Sequence, residues 1–527
     1  MLRRVAFAFA VVACAGAHGP TAPPRPVRVV LLSVDAGSDV ILDRLLASGA
    51  LKGGAFERML ARGAVAESLT PAPIASTPIS HATMFSGAWP GQHGITSVSL
   101  PGAGIADDLR SGFTVPTAVD RLWTIAQRAG LHVVCLAAPG AEGISPETTC
   151  TETVPFGAIA RAAPSVSGKP SPDEIRDLAS RILAAAGPSP GEPEARLVTT
   201  GQMTDDEYVV RAGRFADYVG NGVTMELTRR DWDLLIAYMP IVDNLEHRYL
   251  ITDPRQVEYA ADGGARRVRF AGYIRRGYRK VDAILSSWMK AAPDTTFVIV
   301  SDHGMIPTHS TVILNNVLAA AGLRVGGPDA QVRALSSGAS AQVYVNSRRR
   351  FAQGVVADED VSGIVAKVIA ACRGVVDPVT GAPVFAAIEP SSAFGALHLE
   401  HANAGDVYVL APAGWAISGR FDPAVPAIVP NTVSPDARQR VSRSPAEQRF
   451  LETGGLNELS PGVHGHRPGD PRMQAIFYAM GPSVPRLRTP TASMTDVAPT
   501  VLRLLNVTPP SFMSGRAVFT PQKRAGG

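Results

Sequence analysis

The sequence has few cysteines, little net charge and no long hydrophobic run beyond its N-terminus. Its 527 residues include four cysteines and no CxxC pair, which excludes a cysteine-rich zinc ribbon. The formal net charge is only +4, and the one basic cluster, Arg348–Arg350, is short, so we predict no nucleic-acid-binding surface. There is no internal repeat and no second candidate for a transmembrane span. What is present is 46% hydrophobic residues, enough for the core of a large enzyme.

The N-terminus has the pattern of an export signal. A basic start precedes the short apolar run Val5–Ala13, and Ala15–Ala17 offers a small-residue cleavage site. A second interpretation is a bacterial lipobox, in which Cys14 would carry a lipid anchor. We therefore predict a signal peptide over residues 1–17 and a flexible tether over 18–26. The protein would be periplasmic, a membrane-anchored lipoprotein or secreted.

The other three cysteines are too far apart in sequence for a metal motif. In an oxidising compartment, a disulfide between Cys135 and Cys150 is slightly favoured over two separate thiols. Cys372 lies in a helical stretch and is predicted to be a buried apolar residue.

Continuous apolar runs alternate with amphipathic stretches along the chain, which predicts an α/β fold. Runs without polar alternation are typical of parallel strands buried on both faces. They are Val27–Val34, Leu131–Leu136, Asp233–Tyr238, Thr296–Ser301 and Gln474–Tyr478. Helices are predicted over Val40–Ser48, Thr117–Ala129, Tyr273–Ala291 and Asp496–Leu505. The pattern predicts a three-layer sandwich around a mostly parallel central sheet.

Two regions interrupt this alternation. Residues 153–230 contain turns rich in proline, serine and glycine, and residues 306–455 contain short strands and long polar loops. We predict one catalytic domain over residues 27–520, with these two regions inserted as caps that shape substrate access.

Aspartates follow three of the predicted strands. Asp35, Asp243 and Asp302 each come shortly after a strand end, and ligands of such sheets bind beyond the carboxyl ends of the strands. We therefore expect these carboxylates to share one rim of the sheet.

Histidines accompany two of these aspartates. In SDHGM, His303 directly follows Asp302, and in DNLEH, His247 lies four residues after Asp243, on the same face of a helical turn. Carboxylate oxygen with imidazole nitrogen suits Zn²⁺, although Mn²⁺ and Fe accept the same ligands.

A hydroxyl and a further histidine complete the candidate set. Thr77, in ASTPISHATMFSG, would lie at a helix N-terminus, where a phosphoryl group is stabilised; Ser76 and Ser80 are its alternatives as nucleophile. His81 is interpreted mainly as structural support for this turn. In GVHGHRPGD, spacing alone does not choose between His464 and His466 as a ligand.

With these motifs in order, the chain resembles the type I phosphodiesterase/nucleotide pyrophosphatase family of the alkaline phosphatase superfamily. The resemblance covers nearly the whole mature chain. It is carried by LLSVDAGS, STPISHATMFSGAWPGQHGI, AGLHVVCLAAPGAEG, YMPIVDNLEH, TFVIVSDHGM, GVHGHRPGDPRMQAIFYAMGP and SMTDVAPTVLRLLNV.

The resemblance implies a hydrolase of phosphate diesters or nucleotide pyrophosphates with two metal ions, Zn²⁺ being the first choice. One ion would be held by Asp35, Asp302, His303 and the nucleophile Thr77. The other ion would be held by Asp243, His247 and His464. In the family, the last ligand is the first His of a His-Gly pair, which selects His464 over His466. The resemblance implies a phosphothreonine intermediate and a small-molecule phosphoester substrate.

Two departures from the family pattern leave the substrate class open. Val98 stands where members often have an Asn that donates to phosphate, and Ala36 separates Asp35 from Gly37. A phosphomonoesterase, or a hydrolase of phosphonates or phospholipid headgroups, is the alternative, for which Arg248 is a candidate contact. A weakly active phosphoester-binding surface protein is a third hypothesis, and a sulfatase is disfavoured because its nucleophile motif is missing. Sequence says nothing about oligomeric state.

Overall fold

The computed structural model describes residues 27–105, 109–142, 149–160 and 173–522. The predicted signal peptide and tether lie outside these residues. Within them, no helix is both long and apolar enough to cross a lipid bilayer.

Nineteen strands occur in this part of the chain, most of them short. They are β1 Val29–Val34, β2 Ala64–Thr70, β3 Ser99–Pro101, β4 Leu109–Ser111, β5 Val133–Leu136, β6 Glu152–Val154, β7 Leu234–Met239, β8 Thr296–Val300, β9 Ile306–Ile313, β10 Val332–Ser337, β11 Ser340–Val345, β12 Ala387–Pro390, β13 Val407–Leu410, β14 Gly414–Ser418, β15 Ile428–Pro430, β16 Gly462–Val463, β17 Ala475–Met480, β18 Leu487–Thr489 and β19 Ala492–Ser493.

Seventeen α-helices are described, of which two are much longer than the rest. They are α1 Asp39–Ala47, α2 Ala55–Arg62, α3 Thr77–Ser86, α4 Pro90–His93, α5 Leu122–Arg128, α6 Phe156–Ala160, α7 Asp173–Ala186, α8 Ala195–Thr199, α9 Asp205–Arg229, α10 Ile241–Tyr249, α11 Ala265–Ala291, α12 Leu314–Ala320, α13 Val361–Arg373, α14 Pro435–Val441, α15 Pro445–Glu452, α16 Leu456–Leu459 and α17 Val497–Leu504.

The central sheet has nine strands in the order β18-β2-β17-β8-β1-β7-β5-β6, with β19 also paired to β2. The pairs of β1 with β7 and β8, and of β5 with β6 and β7, are parallel. This confirms the mostly parallel α/β fold. One strand was predicted wrongly in direction: the run Gln474–Tyr478 corresponds to β17, which is antiparallel to both β8 and β2. A buried apolar strand has the same composition in either direction, so the sequence carries no signal for this.

Helices cover both faces of the sheet, as a three-layer sandwich requires. Val30 and Leu32 of β1 point into one core, which includes residues of α2, α9, α10 and α11. Val29 and Leu31 point into the other, with residues of α3, α5 and α17. Every residue of β1 is buried, which explains its continuous apolar sequence.

Region 153–230 contributes to one of these layers. Its long helix α9 begins at a capping box, in which Thr204 and Glu207 each satisfy the other's backbone amide. Phe215, Val219 and Val223 of this helix pack in the same core as the central strands. The assignment of the whole region as an inserted cap stays a prediction, but this helix lies against the sheet.

Region 306–455 has a sheet and a core of its own. The strands β10, β11, β13 and β12 pair antiparallel in that order, and α12 and α13 pack with them. β9 joins this part to the site, since it pairs with β14 and β15 and also with β16, which directly precedes His464.

The three described cysteines have two different environments. Cys135 in β5 and Cys150 just before β6 form a disulfide with a Cα–Cα distance of 5.9 Å. Cys372 is buried and unpaired among the described cysteines, which confirms the sequence prediction.

Candidate active site

Three aspartates lie at one edge of the central sheet. β1 lies between β7 and β8, and the three strands are parallel, so their carboxyl ends share a rim. Asp35 follows β1, Asp302 follows β8, and Asp243 lies in the first turn of α10, just after β7. Sheet topology therefore brings together residues that are far apart in sequence.

The ligand-type side chains form two overlapping groups, in each of which the candidate ligand atoms lie within 4.8 Å of one another. The groups are Asp35, Asp302 and His303, and Asp243, His303 and His464. His247 joins the second group, with its Nε2 3.3 Å from Asp243 Oδ1. His303 lies between the two groups, and its ring stacks on that of His464 with centroids 4.0 Å apart. All six predicted aspartate and histidine ligands are thus neighbours.

In both Asp302 and Asp35, one carboxylate oxygen accepts hydrogen bonds and the other has no hydrogen-bond partner among the described residues. Asp302 Oδ1 accepts hydrogen bonds from the amides of Ala36 at 3.2 Å and His303 at 3.1 Å. Asp35 Oδ2 accepts from the hydroxyl of Tyr238. The remaining oxygens, Asp35 Oδ1 and Asp302 Oδ2, are buried without a hydrogen-bond partner among the described residues, as is Asp243 Oδ1. Buried unpartnered oxygens are costly, so their convergence calls for a cation.

Two histidines are fixed in the tautomer that leaves Nε2 available. Nδ1 of His247 lies 2.7 Å from the carbonyl oxygen of Gly462, and Nδ1 of His303 lies 3.1 Å from that of Gly304. A carbonyl oxygen only accepts, so Nδ1 must carry the proton. The Nε2 lone pair of each ring is then free to bind a metal ion, as in many metal sites.

Electrostatics of the cluster favour a bound cation. Burial, followed by repulsion from Asp302 and Asp243, raises the pKa of Asp35 well above its ordinary value. Burial also raises the pKa of Asp302 to about 7. Without a counter-charge, neighbouring buried carboxylates cannot all remain ionised. Carboxylate oxygens with imidazole nitrogens match the donors that Zn²⁺ takes, so the residues present fit a divalent metal centre.

The predicted nucleophile lies beside this cluster. α3 begins at Thr77, and the Thr77 hydroxyl oxygen is 3.5 Å from Nε2 of His303. Thr77 is 9% exposed, whereas the rival serines, Ser76 and Ser80, are at most 1% exposed. Thr77 thus has both contact with a candidate ligand and some access to solvent.

His81 supports the turn that carries Thr77. Its Nδ1–H donates to the carbonyl oxygen of Thr77 at 2.8 Å, and its Nε2 accepts from the Ser33 hydroxyl at 2.8 Å. Burial lowers the pKa of His81 to about 3, so the ring is neutral. Both nitrogens are used, which agrees with a structural role.

His464, not His466, is the histidine that faces the cluster. His466 Nε2 is 3.3 Å from the carbonyl oxygen of Pro412. Between the two, Gly465 has φ +91°, and a Cβ there would lie 1.9 Å from the carbonyl oxygen of Ser337. Glycine is therefore required for the chain to turn against the 337–339 segment.

Two features of the site were missed or interpreted differently from sequence. Tyr238, which holds Asp35, was missed; its signal was a polar residue in a buried strand, in register with Ser33. Arg248 is not available as a substrate contact, because it is buried and donates to the carbonyl oxygens of Ala195 and Val433.

The surroundings of Val98 bear on the missing asparagine. The Val98 amide and the Ser97 hydroxyl each lie 3.1 Å from the hydroxyl oxygen of Ser337. Both groups are hydrogen-bond donors next to the position of the missing asparagine, and both are engaged with Ser337 of β10.

The sequence matches a family of known proteins. Residues 29–439 match the family described as type I phosphodiesterase / nucleotide pyrophosphatase. A search of the curated proteins finds no significant match.

Several solved structures share the fold. Murine ectonucleotide pyrophosphatase/phosphodiesterase 5 is 13% identical with a TM-score of 0.53, over 92% of this chain and 96% of that one. An inactive Thr-to-Ala variant of it in complex with AMP has a TM-score of 0.55, with the same identity and coverage. Phosphonoacetate hydrolase from Sinorhizobium meliloti 1021, in complex with phosphonoformate, is 14% identical with a TM-score of 0.52, over 92% and 96% of the two chains.

Proposed function

Because this chain belongs to the type I phosphodiesterase/nucleotide pyrophosphatase family of the alkaline phosphatase superfamily, we propose that it hydrolyses small-molecule phosphate diesters or nucleotide pyrophosphates through Thr77. The observation that carries the proposal is the convergence of three buried carboxylate oxygens, each without a hydrogen-bond partner among the described residues, around His303. Nε2 of His303 lies 3.5 Å from the Thr77 hydroxyl oxygen at the start of α3.

We propose two divalent ions, with Zn²⁺ the first choice. Asp35, Asp302, His303 and Thr77 would hold one ion; Asp243, His247 and His464 would hold the other. When bound, the ions would supply the positive charge that stabilises the entering and leaving oxygens of an in-line displacement. The fixed tautomers of His247 and His303 support ligation through Nε2.

The protein's own residues supply the nucleophile and its position. The Thr77 hydroxyl loses its proton as its oxygen attacks phosphorus, the bond from phosphorus to the leaving oxygen breaks, and the leaving oxygen takes up a proton. A water then loses a proton as it attacks phosphorus, the bond to Thr77 breaks, and the threonine oxygen takes up a proton to restore the hydroxyl. The positive end of the helix dipole of α3 favours the negative charge of the phosphoryl group, and His81 holds the Thr77 backbone during both steps.

An exported location is part of the proposal. The disulfide between Cys135 and Cys150 fits an oxidising compartment. Removal of residues 1–17, or lipidation at Cys14, would deliver the chain to the periplasm, the membrane surface or the medium.

The test is turnover of bis(p-nitrophenyl) phosphate against p-nitrophenyl phosphate by the purified mature chain with added Zn²⁺. We expect a clear preference for the diester. Thr77→Ala should lower kcat by about three orders of magnitude or more, as the loss of a nucleophile does in other hydrolases. Ser76→Ala and Ser80→Ala are the matched controls and should stay active.

Other outcomes select other functions. A preference for the monoester would indicate a phosphomonoesterase, and turnover of phosphonoacetate alone would indicate a phosphonate hydrolase. Phosphonoacetate is included because the fold is similar to that of phosphonoacetate hydrolase. If Thr77→Ala is as active as the wild type, Thr77 is not the nucleophile. Bound metal without any turnover would favour the phosphoester-binding protein.

A further inference from the structure

A small pocket of about 230 Å³ lies at the same rim of the central sheet as the candidate active site. β2 and β8 are both antiparallel to β17, so they run in the same direction, and Thr70 at the end of β2 lies on the rim that carries Asp302. Thr70 lines the pocket, as does Arg467, three residues after the candidate ligand His464. No residue of either candidate ligand group lines it. The pocket is therefore a neighbour of the site and not part of it.

The accessible walls of the pocket are apolar. Pro73, Trp89, Leu397 and Pro468 line it, and each is partly exposed, so these side chains offer surface to a ligand. Aromatic rings pack favourably on one another, so the indole of Trp89 favours a planar ring. A cavity of roughly 150 Å³ holds one benzene molecule, whereas drug-sized ligands occupy pockets of about 300 Å³ or more. The volume therefore fits a single substituted ring.

The wall at Trp89 is held by contacts within the protein. Its indole stacks on the ring of His398, with centroids 4.7 Å apart and ring planes 9° apart. The carbonyl oxygen of His398 accepts a hydrogen bond of 2.7 Å from the amide of Gly91 in α4, which directly follows Trp89. These contacts join the Trp89 segment to region 306–455 and fix the shape of the pocket. A wall that is already ordered lowers the entropic cost of binding.

The pocket contains an arginine but no acid. Arg467 is partly exposed and forms no ion pair with any acid that the structure describes, and no carboxylate lines the pocket. The guanidinium lies over the ring of Tyr408, with its carbon 5.7 Å from the centroid, and Tyr408 is buried, so the arginine rests on a fixed surface. A planar guanidinium without a carboxylate partner is complementary to an anionic group on a ligand.

We propose that this pocket binds an aromatic ring that carries a carboxylate, with the ring against Trp89 and the prolines and the carboxylate on Arg467. The proposal combines the two observations above: accessible apolar walls of the size of one ring, and a guanidinium that no described acid neutralises. Such a group is supplied either by a free aromatic acid or by one part of a phosphoester substrate. Only the second source rests on the proposed function.

The first experiment is isothermal titration calorimetry of benzoate into the full mature chain loaded with Zn²⁺. Benzoate has no phosphoester bond, so it is not hydrolysed. For a ligand of this size we expect a Kd of about 1 mM or lower. Benzamide keeps the ring without the charge, and acetate keeps the charge without the ring. Each should bind at least about tenfold more weakly than benzoate.

Two pairs of variants locate the ligand. Arg467→Gln should weaken benzoate binding about tenfold, because a charged hydrogen bond is lost; Arg486→Gln, at an exposed arginine outside the pocket, is its control. Ala396→Leu should also weaken binding, because the larger side chain takes up pocket volume. Its control is Ala402→Leu, at an exposed position outside the pocket. Thermal unfolding confirms that each variant is folded.

Inhibition of bis(p-nitrophenyl) phosphate turnover distinguishes the two sources of the ligand. Competitive inhibition by benzoate that is relieved in Arg467→Gln would assign the pocket to part of the substrate. Benzoate binding without inhibition would assign it to a free aromatic acid. A chain that binds benzoate but hydrolyses no phosphoester would overturn the proposed function alone.

The proposal is overturned if benzoate does not bind, if Arg467→Gln and Arg486→Gln bind it equally, or if benzamide binds as tightly as benzoate. Equal binding by the two arginine variants would place benzoate elsewhere, on the candidate metal ions for example. A chain that forms dimers and does not bind benzoate would cover the pocket with a second copy, and the proposal would again be wrong.

Discussion

Asp35 is a ligand-type carboxylate with its two oxygens in different environments. Tyr238 donates to Oδ2, and Oδ1 is buried with no hydrogen-bond partner among the described residues. Tyr238 itself is fixed by ring contacts with His81 and Phe156, at centroid distances of 5.4 and 5.3 Å. The hydroxyl therefore orients the carboxylate so that Oδ1 points at the cluster.

Tyr238→Phe should weaken Zn²⁺ binding without unfolding the protein. Removing a hydrogen bond that orients a ligand typically lowers metal affinity by about 10- to 100-fold. The measurement is a competition titration with a chromophoric chelator. Tyr478→Phe, also buried in the same sheet, is the control and should bind Zn²⁺ as the wild type does. Equal affinity in both variants would contradict the orienting role.

Ala36 shows why one departure from the family pattern is tolerated. Its φ of +54° lies in the left-handed region, where glycine is favoured. An alanine there costs about 1 kcal/mol or slightly more. In this conformation the Ala36 amide donates to Asp302 Oδ1 at 3.2 Å, a backbone hydrogen bond that helps to hold the left-handed turn.

Between elements, charged side chains join the edge strand β6 to the helical layer. Glu152 of β6 contacts His132 at 3.0 Å and also Arg181 of α7, and Arg181 reaches Glu226 of α9 at 3.1 Å. The hydrogen bond with Glu152 raises the pKa of His132. Partial burial raises the pKa of Glu152, but its bonds with His132 and Arg181 outweigh burial and lower the pKa to about 2.

These shifts predict a pH window for the stabilisation. Glu152 contributes above its ordinary pKa of 4.5, and its contribution is lost as the pH falls toward 2. His132 contributes below its ordinary pKa of 6.5, and its contribution is lost as the pH rises through its raised pKa. Glu152→Gln should therefore cost most, on the order of 1 kcal/mol, between these two pH values.

The check is the difference in Tm between wild type and Glu152→Gln over a range of pH. The difference in Tm should become smaller as the pH falls below 4.5, because Glu152 becomes protonated. The contribution of the contact with His132 should also be lost as the pH rises through the raised pKa of His132. Glu359→Gln removes an exposed carboxylate and should show no such profile. A difference that is constant with pH would rule out the proposed linkage.

At the scale of the whole molecule, the candidate metal ligands come from segments that span the chain from Asp35 to His464. The His464 segment is itself held between two parts of the fold: the Gly465 amide donates to Ala75 and the His464 carbonyl oxygen accepts from Ala339. Metal binding would therefore stabilise the assembly of the central sheet with region 306–455.

Zn²⁺ should accordingly raise the Tm of the chelator-treated protein. The corresponding increase in the free energy of unfolding is about 4 kcal/mol per ion at a concentration 1,000 times its Kd. In Asp302→Asn, we expect the Zn²⁺-dependent increase to be much smaller, because one ligand is lost. The metal-free variant should be at least as stable as metal-free wild type, because a buried carboxylate is removed. Asp329→Asn, at an exposed position, is the control. A full Zn²⁺ shift in Asp302→Asn would exclude Asp302 as a ligand.

The sequence by itself determined the fold class and the candidate residues. Continuous apolar runs mark strands buried on both faces, and Asp302-His303 and Asp243-x-x-x-His247 are local patterns, so both can be read without knowing which strands are neighbours. Only the tertiary structure decided the direction of β17, the position of His303 between both ligand groups and the role of Tyr238. These depend on which strands and helices are adjacent, and adjacency is set by packing over long sequence separations that no local pattern encodes.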